Sequence, residues 1–242
     1  YYRVAADGGR QSDAYGARVS DQPSRVLIID GNDRWVTQST ENPDADNHTF
    51  AVITGESIPR YAFDTAANEA VTDGLVSLTS YDAVAWMLGE ESTADESFSS
   101  AEQTLVAQYL ADGGNLFFSG AEIGWDLVAQ GTSADTAFYQ NVLKHGYVED
   151  DAETFDAQPS SDPLFDGVGA LSFSGGAMYI GYPDQLQPTN GSVEVLRYSG
   201  GTGGSAGLRY RNGERIVGLG FPFEMINNAG TRQAVMTRSL EY

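Results

Sequence analysis

The chain has 242 residues, 41% of them hydrophobic and 11% aromatic, which is enough for one large globular domain or two small ones. Its 34 acidic residues against 13 basic ones give a net charge of −21, which excludes binding to nucleic acid and to anionic membranes. Because there is no cysteine, disulfides, thiolate metal sites and cysteine nucleophiles are excluded as well.

The basic residues are unusual, because Lys144 is the only lysine and every other fixed cation is an arginine. Such an Asp-rich and Lys-poor surface is typical of proteins that work at high salt, where carboxylates hold water and are screened from one another. The alternative is an acidic secreted protein. No apolar run reaches the roughly 18–20 residues that a membrane span requires. We therefore expect an extracellular or cell-surface protein of a salt-adapted prokaryote, without membrane insertion.

The first twenty residues have the pattern of a hairpin. Residues 1–6 alternate as a strand, Asp7-Gly8-Gly9 predicts a turn, and residues 17–19 suit a second short strand. This stretch resembles the final hairpin of a fibronectin type III module. Residues 1–22 are therefore expected to be the end of an upstream module or a linker, and residues 23–242 the main domain. The alternative is a hairpin packed on that domain.

Strands and helices are predicted to alternate in the first part of the main domain. The continuous β-branched run at 25–31 is typical of a strand buried on both faces in a parallel sheet. Further strands are predicted at 61–64, 81–89 and 114–119. A helix follows residues 44–48, and another begins at Ser99, where Glu102 completes a capping box.

The second part of the main domain is rich in short strands. After a helix at 133–143 and a stretch with many turns at 147–182, strands are predicted at 193–198, 206–210 and 215–219, with a hairpin at Asn212-Gly213. A closing helix is predicted at 231–240. This order indicates an α/β fold, a three-layer sandwich with a mostly parallel central sheet, a flavodoxin-like arrangement and a strand-rich C-terminal insertion.

The stretch at 114–124 is the most informative for chemistry. An apolar strand ends in Gly120 and Gly124, which flank the polar residue Glu122, and an amphipathic segment follows at Trp125. This pattern predicts a sharp elbow between a strand and a helix, at the sheet edge where open α/β sheets present ligands and nucleophiles. The alternative is an ordinary turn in which Glu122 caps the helix.

Three stretches, in order along the chain, resemble the class I glutamine amidotransferase-like fold. Residues 81–89 are similar to the strand that ends in the oxyanion glycine of that family, here Gly89. The sequence Gly120-Ala121-Glu122-Ile123-Gly124 resembles its G-x-C-x-G nucleophile elbow. The sequence at 218–224 resembles its G-V-Q-F-H-P-E strand end. The resemblance covers the chain from Arg25 onward and implies the amidotransferase-like version of the α/β sandwich.

The catalytic triad that the resemblance implies is not retained. Glu122 stands at the position of the cysteine and Pro222 at that of the histidine, and only Glu224 matches. A thiolate nucleophile needs a sulfur of low pKa and a base that takes up its proton. We therefore expect no amidotransfer, glutamine hydrolysis or cysteine-peptidase chemistry.

Other nucleophiles and bases have simpler interpretations. Ser119 precedes Gly120, but Phe117 and Ala121 stand where the G-x-S-x-G motif requires glycine, so Ser119 is expected to end the strand. His145 follows a predicted helix, where a cation would complement the helix dipole, and His48 is expected to be exposed near a helix start.

No metal site or cofactor is predicted. Two isolated histidines and no thiol do not form a transition-metal site. Four aspartates offer oxygen ligands for calcium, but none has the EF-hand spacing, so solvated surface acids are the preferred interpretation. These residues are Asp30, Asp33, Asp150 and Asp151.

Two functions of different classes remain open. The first is a non-catalytic domain of a secreted multidomain protein that serves binding, spacing or assembly, with a glycan, a protein or neighbouring domains as partner. The second is a hydrolase of glycans or cell-wall material that uses the paired carboxylates Glu122 and Glu224. Asp30 and Gly89 complete this candidate pocket. The candidate ligand-binding residues are Gly120, Gly124 and two tryptophans that would form a sugar platform, Trp35 and Trp125.

Overall fold

The computed structural model describes residues 1–5, 11–21, 25–34, 48–175 and 181–242. The helices in these ranges are α1 (Phe50–Ser57), α2 (Asn68–Thr72), α3 (Ser92–Asp95), α4 (Ser100–Ala111), α5 (Ser133–Ala137) and α6 (Ala229–Glu241). The strands are β1 (Ala17–Arg18), β2 (Arg25–Asp30), β3 (Ala62–Ala67), β4 (Ala83–Glu90), β5 (Asn115–Ala121), β6 (His145–Glu149), β7 (Asp156–Pro159), β8 (Leu171–Ser172), β9 (Gln185–Pro188), β10 (Val193–Tyr198), β11 (Ser205–Asn212) and β12 (Glu214–Leu219).

These strands form one mixed sheet. Ten follow the order β1-β3-β2-β4-β5-β12-β11-β10-β7-β8, and β9 joins β6 to β11. Parallel pairing is limited to the run β3-β2-β4-β5-β12. The other pairs between named strands are antiparallel. The predicted mostly parallel sheet is therefore not confirmed. The strand-rich part that was predicted as an insertion continues the same sheet. The hairpin between β11 and β12 reverses the strand direction at the point where this part begins.

Helices cover both faces of the sheet. Val26 and Ile28 of β2 belong to one hydrophobic cluster, which includes residues of α1 and α6. Leu27 and Ile29 belong to a second cluster with residues of α2 and α4. Since successive side chains of a strand point to opposite faces, the two clusters are the two sides of a helix–sheet–helix arrangement.

Most predicted elements are found, with altered ends. Ser99 and Glu102 form the predicted capping box of α4. Gly213 has a φ of +100° in the turn between β11 and β12, as the predicted hairpin requires. The predicted helix at 133–143 is α5 followed by a π-helical turn, Phe138–Val142. Residues 44–47 of the predicted helix start lie outside the described residues, and α1 begins after Thr49.

The two histidines differ from their predicted positions. His145 does not end a helix as a cation but begins β6, where it is fully buried against the rings of Phe118 and Tyr139. Burial lowers its pKa to about 4, so the ring is neutral near pH 7. His48 is not freely exposed, since its Nδ1 lies 2.7 Å from Asp13 Oδ1 and its side chain is mostly covered.

The N-terminal segment lies along the edge of the sheet. β1 pairs with β3 in antiparallel direction, and Tyr2 and Tyr15 form an isolated bridge. The Tyr1 ring stacks on Phe63 at 6.2 Å, and the Arg18 guanidinium donates two hydrogen bonds of 2.9 Å to carbonyls of the α1 end. These contacts fit the alternative of a hairpin packed on the domain. The resemblance to a fibronectin type III module and the boundary at residue 22 stay predictions.

Among the described residues, no helix has the length and apolar character needed to cross a membrane.

Candidate functional site

The predicted elbow is present at the end of β5, between β4 and β12. Glu122 follows the strand with a φ of +59°, which is costly for a residue that has a Cβ atom. A side chain at Gly120 would press against the carbonyl of Gly89 at 3.0 Å, and one at Gly124 would meet the ring of Tyr147 at 2.5 Å. The helix begins directly afterwards. The two glycines therefore permit the close approach that an elbow requires.

The Glu122 side chain is buried among other polar groups at this edge. Ser92 Oγ donates a hydrogen bond of 3.2 Å to Glu122 Oε1. Burial, followed by the charges of Glu90 and Asp150, raises the pKa of Glu122 to about 7. The Ser92 hydroxyl and the charge of Arg34 act in the opposite direction. Glu122 and Glu90 are therefore neighbouring carboxyl groups that resist ionising together.

The guanidinium group of Arg34 lies close to Glu90 and to two further residues of this edge. Its Nη1 lies 3.9 Å from Glu90 Oε1 and its Nε lies 3.8 Å from Asp95 Oδ2. Its Nη2 donates a hydrogen bond of 2.7 Å to the carbonyl of Glu91. Burial raises the pKa of Glu91 to about 10, so this side chain is neutral near pH 7, and it accepts a hydrogen bond from the backbone of Asp33.

Asp184 lies directly beneath the elbow. Its Oδ2 accepts a hydrogen bond of 2.6 Å from the backbone N–H of Gly124, and its Oδ1 accepts one of 3.4 Å from Trp125. Asp184 is fully buried, and its pKa is raised well above its usual range by burial and by the charges of Asp150 and Glu122. The side-chain oxygens of Asp184 thus occupy the N–H groups at the start of the π-helical segment Trp125–Gln130, which is where α/β folds bind anionic ligands.

Glu224 does not share the surroundings of Glu122. Its side chain is only 1% exposed, Thr54 Oγ1 donates a hydrogen bond of 3.3 Å to its Oε1, and burial raises its pKa to about 8. The charge of Glu224 raises the pKa of Asp30. The charges that raise the pKa of Glu122 are those of Glu90 and Asp150. In the contacts of the described residues, the structure therefore pairs Glu122 with Glu90 instead of Glu224.

The predicted oxygen ligands are spread over the same edge. Asp30 is buried, and burial raises its pKa well above the usual range. Asp33 accepts a hydrogen bond of 3.1 Å from Asn68, and burial raises its pKa to about 6. Asp150 and Asp151 are half-buried. In the part of the chain that the structure describes, no three histidine or acidic side chains are arranged to hold a metal ion.

The remaining predicted site residues have simple positions. Ser119 is fully buried at the end of β5, where its Oγ accepts a hydrogen bond of 3.1 Å from the backbone of Phe223. The strand continues past Ser119 to Ala121, so the predicted strand end is two residues too early, and the Ser119 hydroxyl joins β5 to the turn after β12. Gly89 has a φ of +58° at the end of β4. Trp125 is half-buried beside the elbow, and Trp35 lies outside the described residues.

Sequence reasoning missed several residues of this site. Glu90 directly follows Gly89, so the strand-end rule that selected Glu122 also points to Glu90 and Arg34, which follow parallel strands. No signal pointed to Asp184, because it lies in an irregular stretch before the short strand β9 and reaches the elbow only through the fold.

The chain is thus an α/β domain with a mixed sheet and a strand–elbow–helix turn near its centre. No protein-family model matches the sequence, and comparison with characterised proteins gives no match. Among solved structures, the glutaminase domain of Trypanosoma brucei CTPS with bound acivicin is similar to it, with 8% identity and a TM-score of 0.46. The similarity covers 90% of this chain and 94% of that chain. At this identity it concerns the fold alone.

Proposed function

We propose that this chain contains a non-catalytic, amidotransferase-like domain, residues 23–242, of a secreted multidomain protein, and that the elbow edge binds a ligand with a positively charged group. The main support is the residue at the apex of the elbow. Glu122 takes the position of a nucleophile, but it is a carboxyl group that accepts a hydrogen bond from Ser92 and lies close enough to Glu90 for that charge to raise its pKa. A carboxyl group held in this way is a binding group for cations and hydrogen-bond donors.

The residues at two positions support the non-catalytic part of the proposal. Position 122 has a carboxyl group where acyl transfer by this fold needs a thiol, and position 222 has a proline where it needs a base. The N–H groups of Gly124 and Trp125 are bound by the side chain of Asp184, so they are not free for a ligand either.

Aromatic side chains favour a ligand that also has an apolar part. Trp125 follows Gly124, Tyr147 packs against Gly124, and Tyr182 is 48% exposed next to Gly181, whose N–H donates to Glu90. A lysine or arginine side chain of a peptide combines a charge with an aliphatic stem and is attracted by aromatic rings. We therefore take a basic peptide segment as the preferred ligand, before a neutral glycan.

The hydrolase remains the second candidate because the pKa values of Glu122 and Glu224 are raised to about 7 and about 8. Acids with such values are able to act as proton donors near neutral pH. Against it stands the burial of Glu224 beside Thr54, away from any bound glycan.

A binding screen distinguishes the two candidates. Fluorescent peptides with lysine or arginine, matched neutral peptides and soluble glycans are titrated with the wild type, with Glu122→Gln and with the charge-matched control Glu69→Gln on the exposed start of α2. We expect basic peptides to bind to the wild type and the control, and at least ten-fold weaker to Glu122→Gln. Equal binding to all three proteins contradicts the proposed site. Glycan fragments released by the wild type, seen by mass spectrometry, would establish the hydrolase.

A further inference from the structure

Three buried oxygen atoms at the sheet edge have no hydrogen-bond donor among the residues that the structure describes. They are Asp30 Oδ2, Asn32 Oδ1 and Glu224 Oε2. The three residues are only 4%, 8% and 1% exposed, respectively. A buried acceptor without a partner is costly, so native proteins supply a donor, an ordered water or an ion. These three oxygens therefore call for a partner.

A closed series of contacts brings the three residues to one place. Asn32 lies two residues after Asp30, the last residue of β2, and a Cβ atom at Gly89 would overlap the Asn32 amide oxygen. The same Cβ atom would lie 2.7 Å from the ring of Phe50, the first residue of α1.

Helix α1 closes the series on the other side. Thr54 stands one helical turn after Phe50, so both side chains lie on the same face of α1. Thr54 donates to Oε1 of Glu224, and Glu224 lies close enough to Asp30 to raise its pKa. We call the resulting space, bounded by Asp30, Asn32, Thr54, Gly89 and Glu224, the buried acceptor site.

The charges that act on the buried acceptor site favour a cation. Asp13, which pairs with His48, and Asp33 both raise the pKa of Asp30, and Asp30 raises that of Tyr15. On the opposite side, Arg232 of α6 acts weakly on Glu224, after burial and two hydrogen bonds. Acids thus dominate the surroundings, and an uncompensated buried carboxylate is expensive.

The ligand set indicates the kind of cation. Two carboxylates and one amide carbonyl are hard oxygen donors, which suit alkali and alkaline-earth ions and not transition metals. Among the described residues there is no group of three acidic or histidine ligands, such as a divalent ion commonly recruits.

We propose that a monovalent metal cation, sodium or potassium, binds in the buried acceptor site and is coordinated by Asp30, Asn32 and Glu224. The ion joins the carboxyl end of β2 to the turn after β12, two elements that are far apart in the sequence. It stabilises the folded state in proportion to the logarithm of its concentration above the dissociation constant. This site is separate from Glu122, so the proposal is independent of ligand binding at the elbow.

The test compares cations at constant ionic strength. The melting temperature of the wild type is measured at pH 7.5 in 0.5 M sodium, potassium or choline chloride, since choline screens charge but its quaternary ammonium group is not coordinated by oxygen ligands as a metal ion is. For a tenfold excess of ion over its dissociation constant we expect a melting temperature about 3–6 °C higher with sodium or potassium than with choline. The difference should vanish in Asp30→Asn and persist in Asp73→Asn, an exposed carboxylate of similar chemistry.

Sodium-23 NMR line widths give a second readout that does not depend on melting. The wild type should broaden the sodium signal, excess potassium should sharpen it again, and Asp30→Asn should broaden it less than Asp73→Asn. If Asp30→Asn does not fold, Asn32→Ala replaces it with the same criteria. Equal melting temperatures in sodium, potassium and choline overturn the proposal and leave protonated carboxyl groups as the solution. If Asp30→Asn or Asn32→Ala folds and still melts at a higher temperature in sodium or potassium than in choline, the ion does not bind in the buried acceptor site.

Discussion

The backbone N–H of Gly124 donates a hydrogen bond of 2.6 Å to the carboxylate of Asp184, which lies 60 residues later in the chain. This contact ties the helix after the elbow to the segment before β9. It also supplies hydrogen-bond acceptors to the first N–H groups of that helix, which have no partner within the helix itself. The elbow is therefore held from below by the second half of the molecule.

Replacing Asp184 should destabilise the fold without altering its surface. Asp184→Asn keeps one acceptor but turns an NH₂ group toward the N–H of Gly124 or Trp125, so one buried donor loses its partner. We expect the free energy of unfolding to fall by about 1–3 kcal/mol, measured by urea denaturation. The exposed control Asp73→Asn should change it by less than about 0.5 kcal/mol. Equal small effects of both variants would show that this hydrogen bond is not maintained in solution.

Glu122→Gln should change how stability depends on pH. The folded pKa of Glu122, about 7, lies above the ordinary value of 4.5. The folded state therefore loses stability as pH rises from 4.5 to 7, and the full penalty applies above pH 7. Glutamine does not ionise, so the variant should be more stable than the wild type by about 1–3 kcal/mol at pH 8 and should lose this advantage by pH 4.5. Parallel curves of the two proteins in urea unfolding across this range would mean that Glu122 is solvated.

The strained backbone of the elbow gives a prediction about side chains at position 122. Glu122 has a φ of +59°, a conformation that glycine adopts at little cost and alanine does not. We expect Glu122→Gly to be more stable than Glu122→Ala by about 1 kcal/mol in chemical denaturation. At an ordinary helical position glycine is the less stable of the two, so the sign of the difference tests the elbow directly.

The wild type should release no ammonia from glutamine, with or without added protein partners. Position 122 has no thiol, and position 222 has a proline where a base would be needed. A coupled glutamate dehydrogenase assay with a glutaminase as positive control is sufficient. We also expect Glu122→Cys combined with Pro222→His to remain inactive, because the ring of Pro222 fixes the local backbone at a φ of −64° and histidine does not. Measurable ammonia from the wild type would refute the non-catalytic assignment.

Stability should rise with salt of any kind. The net charge of −21 opposes the compact state at low ionic strength, and the screening length falls to about 10 Å at 0.1 M salt. The melting temperature is therefore expected to climb from millimolar to molar choline chloride in a calorimetric scan. An unchanged value would remove the interpretation as a salt-adapted protein. This general effect is distinct from the sodium or potassium effect at Asp30, which appears at constant ionic strength.

Much of the fold was visible in the sequence because its central strands are long and apolar. β2 and the hairpin between β11 and β12 follow the patterns of buried and alternating strands, and Gly213 marks the turn. The short helix α2 and the strand β9 have too few residues to show a period. The direction of the outer strands depends on pairing between distant segments, so a mixed sheet was mistaken for a mostly parallel one.

The elbow was predictable because it requires glycine at positions 120 and 124, where a side chain would meet neighbouring atoms. Such a requirement is visible within a few residues of sequence. The partner of Glu122 was not, because the resemblance to a triad directed attention to Glu224 while the fold brings Glu90 to the elbow. Long-range packing also decides that His145 is buried in a strand. From its position in the sequence alone, His145 was predicted to lie at a helix end.

The position of β12 in the sheet has a consequence for how the chain is made. This strand pairs in parallel with β5, yet Arg215 and its partner Asn115 are separated by 100 residues. While the ribosome is still adding the intervening residues, β5 is an unprotected edge of apolar residues such as Phe117 and Phe118. Pairings of such high sequence separation form slowly, and open edges attract other chains. The edge of β5 that faces β12 therefore stays open until residue 219 has emerged from the ribosome.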